Sequence, residues 1–237
     1  MIHGISSSLS GLNANIKKIE ASSNNLANLQ TSGYKSRNVV QQTGAQGGAQ
    51  AAAVTLSKIS GGLINTGNSL DLSVIGQGFF SLSLPDGKTG YTRSGSFTKN
   101  NQGQIVDIKG NALLPTISVP GNASSVSIDK TGVVSALVNG QTRTLGQLNL
   151  SVFSNPDGLT SLGDNLFAET GASGAPLTGL PGSGGRGDLL SGFLEAANVD
   201  IARETVNMMT AEAGFKANIA AIKTQNEMIG SVLDLKA

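Results

Sequence analysis

The chain has 237 residues with 16 Lys and Arg against 15 Asp and Glu, and this near-neutral balance, without a block of like charge, gives no electrostatic footprint for nucleic acid or an anionic membrane. It contains no cysteine and one histidine, which excludes disulfides, thiolate chemistry and any metal or catalytic centre built from several histidines. Thirty-two glycines and 4% aromatic residues point to many turns and thin, repetitive packing, in a length that suits one domain or two small ones.

The first residues, "MIHGISSSLSGLNANIKK", place no lysine before Lys17, so no cleavable secretory signal is expected. No 18-residue apolar run offers a membrane span. His3 reads as a surface side chain. Ile2, Ile5, Leu9, Leu12, Ile16, Ile19 and Leu26 recur in alternating steps of three and four, broken only at Ser23, as in a heptad seam. The spacing predicts a helix over 4–31, about 40 Å long, with Gly33 in the left-handed position that ends it.

The stretch "NNLANLQTSGYKS", 24–36, raises a question, because asparagine competes with the helix backbone for hydrogen bonds. Asn24, Asn25 and Asn28 each cost about half a kcal/mol of helix propensity; hydrogen bonds across a buried seam would return it. They are read as register-fixing contacts between subunits. Residues 1–35 form the N-terminal helical segment. The "QQTGAQGGAQAAA" that follows has little to bury, so 36–65 is expected to be an extended connector.

Over 66–170 the period changes to two. "FSLSL" puts Phe80, Leu82 and Leu84 on one face, and "LNLSV" does the same with Leu148, Leu150 and Val152. Turn signals at 85–87, 100–103, 130–132, 139–140 and 155–158 separate such runs, which predicts an antiparallel all-β middle domain. Asp71, Asp86, Asp107 and Asp129 lie at these turns, where aspartate bonds its own backbone; no calcium-loop spacing or paired-carboxylate signature singles them out. A Gly/Pro-rich linker is expected over 171–190. It contains "GSGGRG", 182–187, which fits a dinucleotide fingerprint only formally, since neither strand nor helix frames it; the "RGD" inside it is read as coincidence.

Residues 191–237 complete the pattern. Ile201, Met208, Phe215, Ile222 and Ile229 step by seven; Ile219 and Leu233 stand in a second column interrupted by Thr205, Glu212 and Asn226. A helix from 199 to about 235, roughly 55 Å, is expected, with Asn198 as N-cap, Asp200 in the first turn and a Glu212 to Lys216 pair. Gly214 in mid-helix costs about 1 kcal/mol relative to Ala unless another helix approaches there.

The fold class is therefore α+β: long terminal helices forming a coiled-coil-like helical domain around a β middle. The plain reading of the two stripes is an intramolecular helix pair. Against it stand the few charges and the small neutral polar remainder, Ser6, Ser7, Ser8, Ser10, Asn13 and Asn15 among them, where a water-facing helix carries more Lys and Glu. The assembly interface is accordingly assigned to Ile5, Leu9, Leu12, Ile16, Ile19, Asn24, Asn25, Leu26 and Asn28 at one end, and to Ile201, Met208, Phe215, Ile219, Ile222, Ile229 and Leu233 at the other. No catalytic, cofactor or metal residue is assigned.

Four stretches in order, "NNLANLQTSGYKS", "IGQGFFSLSLPDGKTGYTRSGSF", "LNLSVFSNPDGLTSLGDNLFAET" and "FLEAANVDIARETVNMMTAEAGFKANIAAIKTQNEM", resemble the bacterial flagellar axial proteins of rod and hook. The likeness is nearest to the distal-rod branch, through 116–170. Two features depart from it: the segment between Lys35 and Leu70 is short, and "AEAGF" replaces a Gln-Arg-small-aromatic pattern. The resemblance implies a structural subunit of the basal body that spans the periplasm. It would be exported unfolded by the flagellar type III apparatus and polymerise helically into a hollow, torque-transmitting shaft. Implied partners are copies of itself, other rod and hook proteins, and rod cap and ring proteins, with no nucleic acid and no membrane insertion. Hook or proximal rod subunits are the near alternatives. A β-rich adhesin or phage tail subunit and a cell-wall-trimming enzyme are the distant ones.

Overall fold

The computed structural model of the protein describes residues 2–44, 48–57 and 59–234, with side chains described for these apart from Ile2, Ala51, Ala52 and 232–234. The chain divides into two units. The first gathers residues 1–29, 36–58 and 199–237, and the second 30–35 and 59–198. Both terminal helices thus belong to one unit, although the rest of the sequence lies between them.

The first unit contains helix α1 (Ile2–Ala27), strands β1 (Arg37–Thr43) and β2 (Ala49–Leu56), and helix α2 (Ile201–Asp234). Helix α1 stops short of the expected 31. The Asn28 amide is shared between the carbonyls of Asn24 and Asn25, at 3.2 Å each, and Leu29 closes back on Leu26 at 3.3 Å, the tightening that ends many helices. Gly33 does adopt φ +69°, but beyond the helix end and for another purpose. Helix α2 is capped by Asp200 rather than Asn198: its Oδ1 accepts the amides of Ala202 and Arg203 at 2.9 and 3.2 Å, two of the donors a helix start leaves open. The Glu212–Lys216 pair forms at 2.6 Å.

Strands β1 and β2 form an antiparallel hairpin, with a register irregularity between Val40 and Gln41, where a connector was expected. Its Gln, Asn and Ala side chains give no hydrophobic period. The hairpin is held instead by its backbone ladder and by α1, where the Ser10 hydroxyl donates to the Ala49 carbonyl at 2.6 Å. Ala14 and Ala21 of α1 are buried; Ala14 shares a cleft with Gln50, and Ala21 one with Arg37, Asn38 and Val39.

In the second unit, β3 (Leu63–Asn65), β4 (Leu72–Ile75), β5 (Phe80–Ser83), β6 (Thr89–Thr92), β7 (Thr98–Lys99), β8 (Ile105–Val106) and β9 (Ala112–Leu114) come first. They are followed by β10 (Ala123–Ile128), β11 (Val133–Val138), β12 (Gln141–Gln147) and β13 (Leu150–Val152). The last are β14 (Thr160–Gly163), β15 (Leu166–Ala168), β16 (Leu177–Gly179), β17 (Asp188–Ser191) and β18 (Phe193–Glu195). Seven strands make one sheet in the order β14-β15-β6-β5-β9-β8-β7; β10-β11-β12 make another; β13 pairs with β16, β17 with β4 and β18 with β3. Every paired strand is antiparallel.

The period-two residues meet in one core. Leu72, Phe80, Leu82, Phe97, Leu113, Leu148 and Leu150 are almost fully buried, each such side chain contributing about 1.5–3 kcal/mol, and the Phe80 and Phe97 rings cross edge to face at 5.1 Å. The turns follow their residues: Asn139 and Gly140, both at positive φ, make the two-residue link between β11 and β12 that a hairpin favours. Asp86, Asp107 and Asp129 accept amides two residues on. The expected 171–190 linker contributes β16 and β17, and the Arg186 side chain in "GSGGRG" folds back onto the carbonyls of Leu177 and Leu180. No helix opens on this loop.

Candidate assembly interface

Helices α1 and α2 run antiparallel, and the line along which they touch is not apolar. A Cβ on Gly4 would stand 2.6 Å from the Gln225 amide nitrogen, one on Gly11 3.0 Å from that of Asn218, and one on Gly214 2.8 Å from that of Asn15. Ser22 and Asn25 donate to the two carboxylate oxygens of Glu204 at 2.7 and 2.9 Å. The pairs 4/225, 11/218 and 25/204 advance by sevens in opposite directions, as a heptad requires. Glycine leaves these amides their room: the helices approach where it offers no side chain, as the expectation for Gly214 allowed.

Asn25 lies at the end of this seam and is fully buried. Its Nδ2 also donates to the Arg37 carbonyl at 3.0 Å, and its Oδ1 accepts the Arg37 amide at 2.8 Å. Within one chain the Asn25 amide ties β1 and α2 to α1. Asn24 and Asn28 donate along their own helix, to the Glu20 and Asn24 carbonyls, each at 2.9 Å.

The expected apolar stripes sit beside the seam. Ile5, Leu12, Ile19 and Leu26 follow the column of Gly4, Gly11, Lys18 and Asn25 by one residue, and Met208, Phe215, Ile222 and Ile229 follow Asn207, Gly214, Ala221 and Met228 likewise. One residue is about 100° of rotation, so these side chains swing off the contact line. They open to the same side, because Ile16 and Ile19 of α1 and Phe215 of α2 line one groove, rimmed by Glu20, Glu212 and Lys216. Ile5, Leu12, Ile16, Ile19, Leu26, Met208, Phe215, Ile222 and Ile229 are all half-buried, and Leu9, Ile201 and Ile219 are 51%, 54% and 44% exposed. The Leu233 side chain lies outside the described residues. Periodicity found these columns; it could not find Glu204, because a lone carboxylate in a helix resembles any solvated one.

A second polar cluster, wholly inside the β-rich unit, also escaped the sequence. Glu195, 3% exposed, accepts Lys35 Nζ at 2.6 Å and the Gly61 amide at 3.1 Å on one oxygen, and Arg93 Nε at 2.9 Å on the other. Arg93 also donates to the carbonyls of Val74, Gly76 and Gly78. Burial alone would push the Glu195 carboxyl up, but the Arg93 charge and the hydrogen bonds from Lys35 and Arg93 outweigh it and hold it below its ordinary range. Burial draws the Lys35 ammonium below its ordinary value, against the pull of Glu195. The Gly33 amide donates to the Glu195 carbonyl at 2.7 Å, and a Cβ at Gly33 would meet the Ser94 amide nitrogen at 2.6 Å. Only glycine fits this left-handed, closely packed position.

Among the described residues, no three His, Asp or Glu side chains gather as a metal site, and no helix is long and apolar enough to cross a membrane. Residues 5–35 match the flagella basal body rod protein model, 73–136 the flagellar hook protein FlgE/F/G D1 domain, and 190–235 the flagellar basal body rod FlgEFG protein C-terminal model. The flagellar basal-body rod protein FlgG of Buchnera aphidicola from Acyrthosiphon pisum is 38% identical over 260 positions, covering 99% of this chain and all of that one. FlgG of Bacillus subtilis is 37% identical with both chains covered in full. The chain belongs to the FlgG family of flagellar rod proteins. FlgG is the distal rod protein, so this chain is a structural subunit of the flagellar basal body and not an enzyme. The family forms polymers of its own kind that associate with other rod and hook proteins. The flagellar hook protein FlgE of Salmonella typhimurium is 35% identical over 191 positions, 78% of this chain and 44% of that one. The FlgG alignments are longer than the chain, so these relatives carry insertions that it lacks.

Proposed function

We propose that the paired terminal helices form a coiled-coil-like inner layer, and that neighbouring subunits in the rod meet on the apolar face beside the glycine seam. The observation that carries this reading is the division of labour on the helices: small and polar residues join α1 to α2, while Leu9, Leu12, Ile16, Ile19, Phe215, Ile219 and Ile222 remain at least partly open. Heterologous contacts that do not close extend into a filament, and burial of apolar area drives them. The β-rich unit then forms the outer layer of a hollow shaft that transmits torque from motor to hook. Delivery by the flagellar type III export apparatus, and contacts with rod cap and ring proteins, complete the assignment.

The test is a Leu9→Asp, Leu12→Asp double variant. It is expected to leave the β core folded, read as unchanged amide protection of β5, and to abolish incorporation into basal bodies. Normal incorporation overturns the reading.

A further inference from the structure

The stretch "TSGYK", 31–35, belongs to a motif that the sequence singles out, yet assembly through the helices gives it no task. It forms neither helix nor strand, and the chain enters the β-rich unit at 29/30 only to leave it at 35/36. It is nevertheless held there by backbone and side chain alike. The Gly33 amide donates to the Glu195 carbonyl at 2.7 Å, and the Tyr34 carbonyl accepts the Asn198 amide at 3.4 Å. Asn165 donates its side-chain amide to the Ser32 carbonyl at 3.3 Å, and the Ser32 hydroxyl stands 3.2 Å from that of Ser94. Tyr34 is buried. Lys35 Nζ donates to the Glu195 carboxylate at 2.6 Å and to the Ile59 carbonyl at 3.0 Å. All of these partners belong to the β-rich unit.

We propose that residues 31–35 are a ligand that the β-rich unit carries on its own chain: the segment is recognised by Ser94, Asn165, Glu195 and Ile59, and it stays seated whether or not α1 and α2 are formed. The residue types answer to the seat. Position 33 takes glycine because its φ is +69° and a Cβ there would meet the Ser94 backbone, which cannot turn aside as a side chain can. Position 35 brings an ammonium to the buried Glu195 carboxylate, a charge that burial makes costly unless it is paired. The seat also sets residue 35 beside residue 198, the two places from which the chain leaves this unit, since Asn198 bonds both the Tyr34 and the Ile59 carbonyls. The inference concerns the β-rich unit alone and stands independently of the contacts proposed between subunits.

The test uses the full chain carrying Ala14→Pro and Ala211→Pro. Proline inside a helix removes a backbone bond and clashes with the preceding turn, so both helices are broken while the β-rich unit is untouched. Hydrogen exchange of this variant is expected to show the Gly33 and Tyr34 amides protected together with those of β5. Free exchange at Gly33, with or without loss of β5, overturns the proposal. Adding Lys35→Met, which leaves the Glu195–Arg93 pair in place, is expected to speed exchange at Gly33 about tenfold or more with β5 unchanged; an unchanged rate at Gly33 overturns the proposal as well. Should Lys35→Met strip β5 of protection, Gly33→Ala decides: exchange that rises more at Tyr34 than in β5 supports the seat, and exchange that does not refutes it.

Discussion

Buried carboxylates organise both units, and each is held differently. Glu204 is bound by a hydroxyl and an amide; Glu195 is bound by an ammonium and a guanidinium. For Glu195 the depressed folded-state pKa means that the unfolded chain takes up the proton more readily, so its contribution is full above the ordinary 4.5 and is lost as pH falls through the lower folded value. Lys35, also depressed, works in the same direction near the other end of the scale: between its folded value and the ordinary 10.5 the folded chain binds fewer protons, and stability rises with pH. Thermal melting of the β core from pH 3 to 7 should therefore show a midpoint that climbs with pH, and Glu195→Gln should remove the acid-side part of that climb. An unaltered acid slope in the variant would assign it to other carboxylates.

The same glycine substitution should act oppositely at two places in one helix. At Gly230 a Cβ meets nothing within 4 Å, so Gly230→Ala should raise helix stability in the free subunit by up to about 1 kcal/mol. At Gly214 the same change brings a methyl to 2.8 Å from the Asn15 amide, which must shift, so the gain should be smaller there until Asn15→Ala is added; helicity by circular dichroism, in a double-mutant cycle, should give a coupling of about 0.5 kcal/mol or more. These helices were the most legible elements: seven-residue columns predicted 199–235 against the observed Ile201–Asp234. Their contact line was not legible, because apolar periodicity marks what is greasy and the helices join where they are small. The β1–β2 hairpin escaped for a related reason, since its alanines and glutamines give no apolar period. The Lys35, Arg93 and Glu195 cluster could not be read at all, because residues so far apart in sequence share no pattern until the chain folds.

Across the whole molecule a net charge of +1 and an open apolar face predict how assembly responds to conditions. Pelleting of the assembled polymer should change less than about twofold between 50 and 500 mM salt, because screening acts on charges and few are engaged at that face, and it should weaken on cooling, as apolar burial does. A steep loss with salt would place the driving force in ion pairs instead.

The sevenfold spacing of the seam has one more outcome for the helix pair. A repeat is nearly its own copy one period along, so a sliding of α1 past α2 by about 10 Å would again set small residues near one another, and glycine alone would not prevent it. Either slide leaves Asn25 without its carboxylate. Losing a buried partner costs about 1–3 kcal/mol, which makes this amide the detent that gives the screw a single setting.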